Sequence, residues 1–85
     1  MATLDALCGA LIELDEIRTL QLTKELVEEG VTSLSILSSC QQALKVVGER
    51  YEREEYFISA LIMAGELFKE VIELVQPLEE ELPRV

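Results

Sequence analysis

The sequence predicts an all-α fold, a single four-helix bundle. Apolar residues make up 49% of the 85 residues, which is enough for a small core and argues against disorder. These residues recur at helical spacing and never alternate with polar residues over the length of a strand. Glycine and proline are scarce, and the connections between the predicted helices are short, as in an antiparallel-type bundle.

The first two helices have clear start and stop signals. The first is predicted from about Thr3 to Glu13. Asp15 is suited to cap the second helix, because its carboxylate can accept hydrogen bonds from the first backbone N–H groups. Gly30 suits the left-handed residue that follows a helix, with Val31 as the hydrophobic partner of a Schellman motif. The predicted apolar positions of the second helix are Ile17, Leu20, Leu22, Leu26 and Val27.

The third helix is predicted to begin after a cap at Thr32 or Ser33. Gly48 lies inside its pattern, and a glycine there indicates a bend or the close approach of a neighbouring backbone. The polar run 49–55 is expected to contain the corner into the fourth helix. The predicted apolar positions of the third helix are Leu34, Leu37, Leu44, Val47 and Tyr51.

The fourth helix carries more apolar surface than one core requires. Its apolar residues cover an arc of roughly 200° on a helical projection, whereas a helix on a single core shows somewhat over 100°. They are Phe57, Ala60, Leu61, Met63, Ala64, Leu67, Phe68, Val71, Ile72, Leu74 and Val75. A second apolar side is therefore expected to face something other than the core. Pro77 is expected to end or kink the helix, which predicts a domain over 1–78 and an acidic tail or linker start over 79–85.

The charge of the chain restricts its partners. The formal net charge is −10, so nucleic acid and anionic membrane surfaces are poor partners. No apolar run approaches the roughly 18 residues of a membrane span, and the N-terminus lacks the basic region of a secretory signal. Cys8 and Cys40 are interpreted as free thiols of a cytoplasmic protein, each packing as a small core residue.

The side chains available make catalysis improbable. Histidine is absent, which excludes Ser–His and Cys–His nucleophiles, haem and most zinc sites built by this chain alone. The carboxylates fall on predicted solvent faces, and no pair of them is set into an apolar wall. We therefore predict no catalytic residue and no metal site, and a protein that is not itself an enzyme.

Three segments carry a resemblance to a known family: LVEEGVTSLSIL (26–37), ALKVVGERYEREEYF (43–57) and LIMAGELFKEVIELVQP (61–77). In order and spacing they resemble the helical cap domain of corrinoid (vitamin B12) proteins. These include the corrinoid proteins of methanol and methylamine methyl transfer and the cap of cobalamin-dependent methionine synthase. The chain departs from the family pattern at Glu54, where glycine is usual, so the corner is expected to be more helical or differently angled.

The resemblance implies a non-catalytic cap over the upper face of cobalamin. A Rossmann-like domain, which this chain does not include, would hold the corrinoid from below and supply the histidine ligand to cobalt. The cap would exclude water from the cobalt and swing away when a methyltransferase needs access. The cofactor cobalamin would thus be bound only together with that partner domain.

The resemblance also implies which residues face the corrin. In the methionine synthase cap an aromatic and an aliphatic residue of the fourth helix press on the ring, and those positions carry over to Ala60 and Leu67. The predicted cofactor-binding residues are Ala60, Met63, Ala64, Leu67 and Val71. Four of them form one stripe, which also fits an ordinary core.

A second function fits the same pattern. The chain would be a stand-alone interaction module that keeps the cap fold without cobalamin, and a second copy would cover the wide apolar arc in a homodimer. Ala60, which is smaller than the family's aromatic residue, and the absent partner domain favour this alternative.

Overall fold

The computed structural model describes residues 2–79, and the side chains of residues 2–75. It contains the four helices α1 (Leu4–Ile12), α2 (Glu16–Glu28), α3 (Ser33–Glu52) and α4 (Ile58–Glu79). No strand occurs among the described residues, and the predicted all-α four-helix fold is confirmed. Of the expected acidic tail, residues 80–85 lie outside the described residues. The domain boundary after residue 78 stays a prediction.

Three of the helices begin at residues that the sequence supplies for capping. Thr3, Asp15 and Thr32 have extended backbones, and the side-chain oxygen of each accepts the backbone N–H three residues later, at 3.0–3.2 Å. Such a bond satisfies one of the N–H groups that the first turn of a helix leaves without a partner. The caps predicted at Asp15 and at Thr32 are confirmed.

The first three helices also end in the same way. Leu14, Gly30 and Glu54 have positive φ angles of 60°, 87° and 62°. Each donates its N–H to the carbonyl three residues earlier, and the next residue donates to the carbonyl five residues before it, as in a Schellman motif. The ending predicted at Gly30 is confirmed. Of the two expectations for the corner at Glu54, the more helical one is wrong, because the corner keeps the left-handed turn although the residue is not glycine. A different angle of the corner stays a prediction.

The order of the helices around the core differs from a simple antiparallel bundle. α1 packs against α2 and α3, and α4 packs against the same two helices, so α2 and α3 lie diagonally opposite. The Ser39 hydroxyl donates to the Leu4 carbonyl at 2.9 Å, and Arg50 lies 3.6 Å from the Glu13 carboxylate. The first contact joins the N-terminal parts of α1 and α3, and the second joins their C-terminal ends. The neighbouring helices α1 and α3 therefore run in the same direction. Short connections only bring helix ends together; the buried faces decide which helices become neighbours.

The core consists of one stripe from each helix. Its fully buried large side chains include Leu7 and Leu11 of α1, Leu26 of α2, Ile36 and Val47 of α3, and Val71 and Val75 of α4. Three residues at predicted apolar positions do not lie in the core: Ile17 is 79% exposed, Leu34 76% and Tyr51 41%. On α3 the buried stripe follows Ile36, Cys40, Ala43 and Val47, which places Leu34 and Tyr51 outside it.

Two further expectations are corrected in part, the close approach at Gly48 and the helix end at Pro77, whereas the alternative of a bend or kink at these residues stays a prediction. At Gly48, an added Cβ would meet no atom within 4 Å outside its own helix turn, so no neighbouring backbone approaches closely. α4 continues to Glu79, so Pro77 does not end it.

Two threonines are buried on α2, and only one of them has a side-chain partner. The Thr23 hydroxyl donates to the Thr19 carbonyl at 2.8 Å. The Thr19 hydroxyl is fully buried and makes no hydrogen bond with any described residue. A buried polar group without a partner costs roughly 1–3 kcal/mol of stability.

We expect Thr19→Val to raise the free energy of unfolding by about 1 kcal/mol, because valine has nearly the same shape and no hydroxyl to desolvate. Urea denaturation followed by circular dichroism measures the change. Thr23→Val is the matched control and should bring no gain, since it removes a hydroxyl that has a partner. Equal gains in both variants would contradict the prediction.

We expect Glu54→Gly to stabilise the chain by about 0.5–1 kcal/mol, since an L side chain at positive φ is strained and glycine is not. Glu54 is exposed, so the replacement removes no packing. The opposite change, Gly30→Ala, should destabilise by about 1 kcal/mol. Thermal unfolding of both variants checks the pair, and a destabilised Glu54→Gly would show that the left-handed turn is not strained.

Candidate functional site

Large apolar side chains are exposed at the corner between α3 and α4. They are Phe57 (83% exposed), Ile62 (62%), Ile58 (57%), Met63 (49%) and Tyr51, and we call these five residues the corner surface. Ile58 and Ile62 are one helical turn apart on the outer side of α4, and Met63 is turned about 100° from Ile62 around the helix axis. Scattered exposed apolar residues need no explanation, but several large ones within one short segment indicate a candidate interaction site.

The corner surface includes a shallow concavity. It is lined by Tyr51, Glu52, Glu54, Tyr56, Phe57 and Ile58. Three aromatic rings and an isoleucine thus meet two carboxylates around one depression. Such a surface can receive a flat, largely apolar group with polar substituents at its edge.

Tyr56 anchors this corner to the end of α1. Its hydroxyl donates to the Ile12 carbonyl at 2.8 Å and accepts a hydrogen bond from the Arg50 guanidinium at 3.1 Å. The guanidinium carbon also lies 5.4 Å from the centre of the Tyr56 ring, within cation–π range. The hydrogen bond to Tyr56 raises the pKa of Arg50, and Glu13 adds to this effect. The apolar side chains around Tyr56 therefore belong to a corner whose position relative to α1 is held by hydrogen bonds.

The structure places the five predicted cofactor-binding residues in two different environments. Ala60, Ala64, Leu67 and Val71 are buried, with at most 6% exposure, and belong to the core stripe of α4. Their side chains pack in the interior of the bundle. Their predicted contact with the corrin stays a prediction. Of the five residues, only Met63 is exposed and lies on the corner surface.

Four residues of the corner surface were not among the predicted site residues. Phe57 was counted only within the wide apolar arc, and Tyr51 only as an apolar position of the third helix. For Ile58 and Ile62, one feature of the sequence could have indicated an apolar surface outside the core. They are apolar residues one turn apart that fall outside the stripe formed by Ala60 and the core residues that follow it at helical spacing.

The two thiols contact the core and not the corner surface. Cys40 is fully buried and Cys8 is half-buried against the core, and both are free. Burial, and to a smaller extent the neighbouring Cys8, raises the pKa of the Cys40 thiol to about 11. Burial, followed by the charge of Asp5, also raises the pKa of Cys8. Neither thiol is an activated nucleophile, since a reactive cysteine has a lowered pKa.

Two other features, a metal site and a membrane-spanning helix, are absent from the described part of the chain. No group of three or more His, Cys, Asp or Glu side chains is arranged to hold a metal ion there. None of the described helices combines the length and the apolar character that crossing a membrane would require.

Comparison with known proteins identifies relatives of the chain. A family model described as a B12 binding domain matches residues 3–76. Monomethylamine corrinoid protein 1 of Methanosarcina mazei is 26% identical over 74 residues, which are 86% of this chain and 34% of the relative. Monomethylamine corrinoid protein 2 of Methanosarcina barkeri is 28% identical over 74 residues, with the same coverage. The chain thus spans about a third of the length of these curated relatives. No solved structure gave a significant match.

The raised pKa of Cys40 predicts a loss of stability at alkaline pH. The folded pKa is about 11 and the ordinary value is 9.0, so the contribution of the buried thiol is complete below pH 9 and is lost as the pH rises through 11. At pH 10, the free energy of unfolding should be lower by about 1 kcal/mol on this account. Urea denaturation at pH 8 and pH 10 measures the difference.

Other groups also titrate in this range, so the variant Cys40→Ala serves as the reference. It should be less stable than the original chain at pH 8 but show a smaller decrease between the two pH values. An equal decrease in both proteins would show that Cys40 is not the cause.

Proposed function

Because this chain belongs to the B12 binding domain family, we propose that it is the cap of a corrinoid protein that serves methyl transfer. It would lie over the upper face of a cobalamin that a Rossmann-like domain outside these 85 residues holds from below. The relatives named as monomethylamine corrinoid proteins support a role as carrier module and not as catalyst. A methyltransferase would be the further partner.

The exposure of the corner surface is the single observation that carries the proposed contact. In place of the buried stripe of α4, we propose that Tyr51, Phe57, Ile58, Ile62 and Met63 face the corrin. Burying an exposed side chain of the size of phenylalanine or isoleucine contributes roughly 1.5–3 kcal/mol, and Phe57 and Ile58 have most of this area still to lose. Their attachment through Tyr56 limits the entropy cost of binding, because the corner is already ordered.

The residues of the corner surface fit a corrinoid that this chain covers but does not ligate. Histidine is absent, and the side chains of the corner surface are apolar or aromatic. A bound corrinoid would supply the methyl-carrying chemistry at its cobalt. The chain itself would exclude water from the upper face and block access of small ligands, as an apolar lid does. Movement of the lid would then control when a methyltransferase reaches the cobalt.

A chimeric protein tests this function. Residues 3–76 of this chain replace the matching segment of monomethylamine corrinoid protein 2 of Methanosarcina barkeri, and the protein is loaded with aquacobalamin. The rate at which added cyanide replaces the upper water ligand is followed by visible absorption. We expect exchange to be at least tenfold slower than in the relative lacking the segment, because the corner surface covers the upper face.

The variant Phe57→Ser/Ile58→Ser should remove most of this protection. Leu34→Ser is the matched control, since Leu34 is similarly exposed but lies at the other end of α3, about 25 Å from Tyr51 along the helix axis. Exchange that is as fast with the segment as without it would contradict the proposed cap. Equal effects of the two variants would contradict the assignment of the corner surface.

The homodimeric module is the second candidate, and the exposure of Phe57 also favours it. A second copy could cover the same corner surface. Light scattering of the isolated chain over a range of concentrations separates the two functions. A monomer agrees with the cap, whereas a dimer that Phe57→Ser dissociates would favour self-association.

A further inference from the structure

Negative charge borders the corner surface on its concave side. Glu52 and Glu54 line the concavity together with the aromatic rings, and both are exposed. Exposed glutamates are ionised at neutral pH. The two arginines of segment 49–55 do not line the concavity, although the Arg50 guanidinium lies 5.4 Å from the centre of the Tyr56 ring. Four glutamates in the same segment outnumber them. The concavity is therefore electronegative within a chain that already carries a net charge of −10.

We propose that Glu52 and Glu54 make the corner surface select corrinoids by charge, so that a more positively charged corrinoid is bound more tightly. This inference rests on the proposed function and adds to it a specificity determinant. The apolar side chains bind any corrin ring to a similar extent, since they do not sense its charge. The two carboxylates distinguish between rings that have the same shape but different charge.

The size of the effect follows from Coulomb's law. A carboxylate about 10 Å from a unit charge, in a medium between protein surface and bulk water, changes affinity by about two- to fivefold. Two carboxylates on the same concavity act in the same direction. Because each electron that cobalt accepts lowers the charge of a corrinoid by one, the corner surface holds the reduced cofactor least tightly. The covering of the cobalt is thereby coupled to its oxidation state through charge alone.

Binding of cobinamides to the chimeric protein described above tests the inference, because the cofactor is expected to need the partner domain. Aquacyanocobinamide carries one positive charge, and dicyanocobinamide, formed by excess cyanide, carries none. Both lack the nucleotide phosphate and share the same ring. Dissociation constants are measured from the quenching of tyrosine fluorescence, and from NMR shifts of the Ile58 and Ile62 methyl groups. We expect the cation to be bound about four- to twentyfold more tightly at low salt.

Variants assign this preference to the two carboxylates. Glu52→Gln and Glu54→Gln should each reduce it by about two- to fivefold. Glu28→Gln removes an equal charge from the end of α2, beside Leu74, which lies about 24 Å along α4 from Ile58, and should leave the preference unchanged. The preference should also shrink in 1 M salt, where the Debye length falls to about 3 Å. Circular dichroism verifies that each variant is folded.

The outcomes separate the inference from the function on which it rests. Equal affinity for the two cobinamides overturns the charge selectivity and leaves the cap function standing. A preference that Glu28→Gln reduces as much as Glu52→Gln overturns the assignment to the concavity. Cobinamide affinities that are the same in the chimeric protein and in the relative lacking the segment overturn the corrin-facing role of the corner surface and the inference together.

Discussion

Burial of a single stripe on α4 is the constraint on which the rest of the structure depends. Ala60, Ala64, Leu67, Val71 and Val75 follow one another at helical spacing and are almost completely buried. They must be covered by both α2 and α3, which places α4 between these helices and leaves α1 on the opposite side of the bundle. The alanines lie in the first half of α4 and the larger residues in the second half. Once this stripe is buried, every other apolar residue of α4 is directed to the flanks or to solvent.

The corner between α3 and α4 follows from that arrangement. α3 extends to Glu52, a left-handed Glu54 reverses the chain, and Tyr56 fastens the turn to the end of α1. Phe57 and Ile58 are left outside the core by the same geometry. A stable fold gains nothing from exposed side chains of this size, and a polar residue would serve solubility better at either position. An apolar surface on an ordered corner agrees with the lid over a corrinoid that we propose for this member of the B12 binding domain family.

The charges of the chain act together with this surface. Acidic residues are spread over the exposed faces, where they promote solubility, but Glu52 and Glu54 also lie in the concavity with the aromatic rings. Apolar contact supplies affinity without regard to charge, and the carboxylates add a dependence on charge without much affinity of their own. One small surface can therefore both cover a ring and respond to its charge.

By itself, the sequence determined the features that depend on residues a few positions apart. The all-α class, the caps at Asp15 and Thr32 and the ending at Gly30 could be predicted because each results from local hydrogen bonds and backbone preferences. The resemblance in three segments likewise indicated the family, since order and spacing are properties of the chain. Only the tertiary structure decided which apolar residues are buried. The apolar arc of α4 is wider than one core needs, so the positions of α2 and α3 select Ala60 and Leu67 for the interior and leave Phe57 and Met63 exposed, which no local pattern specifies.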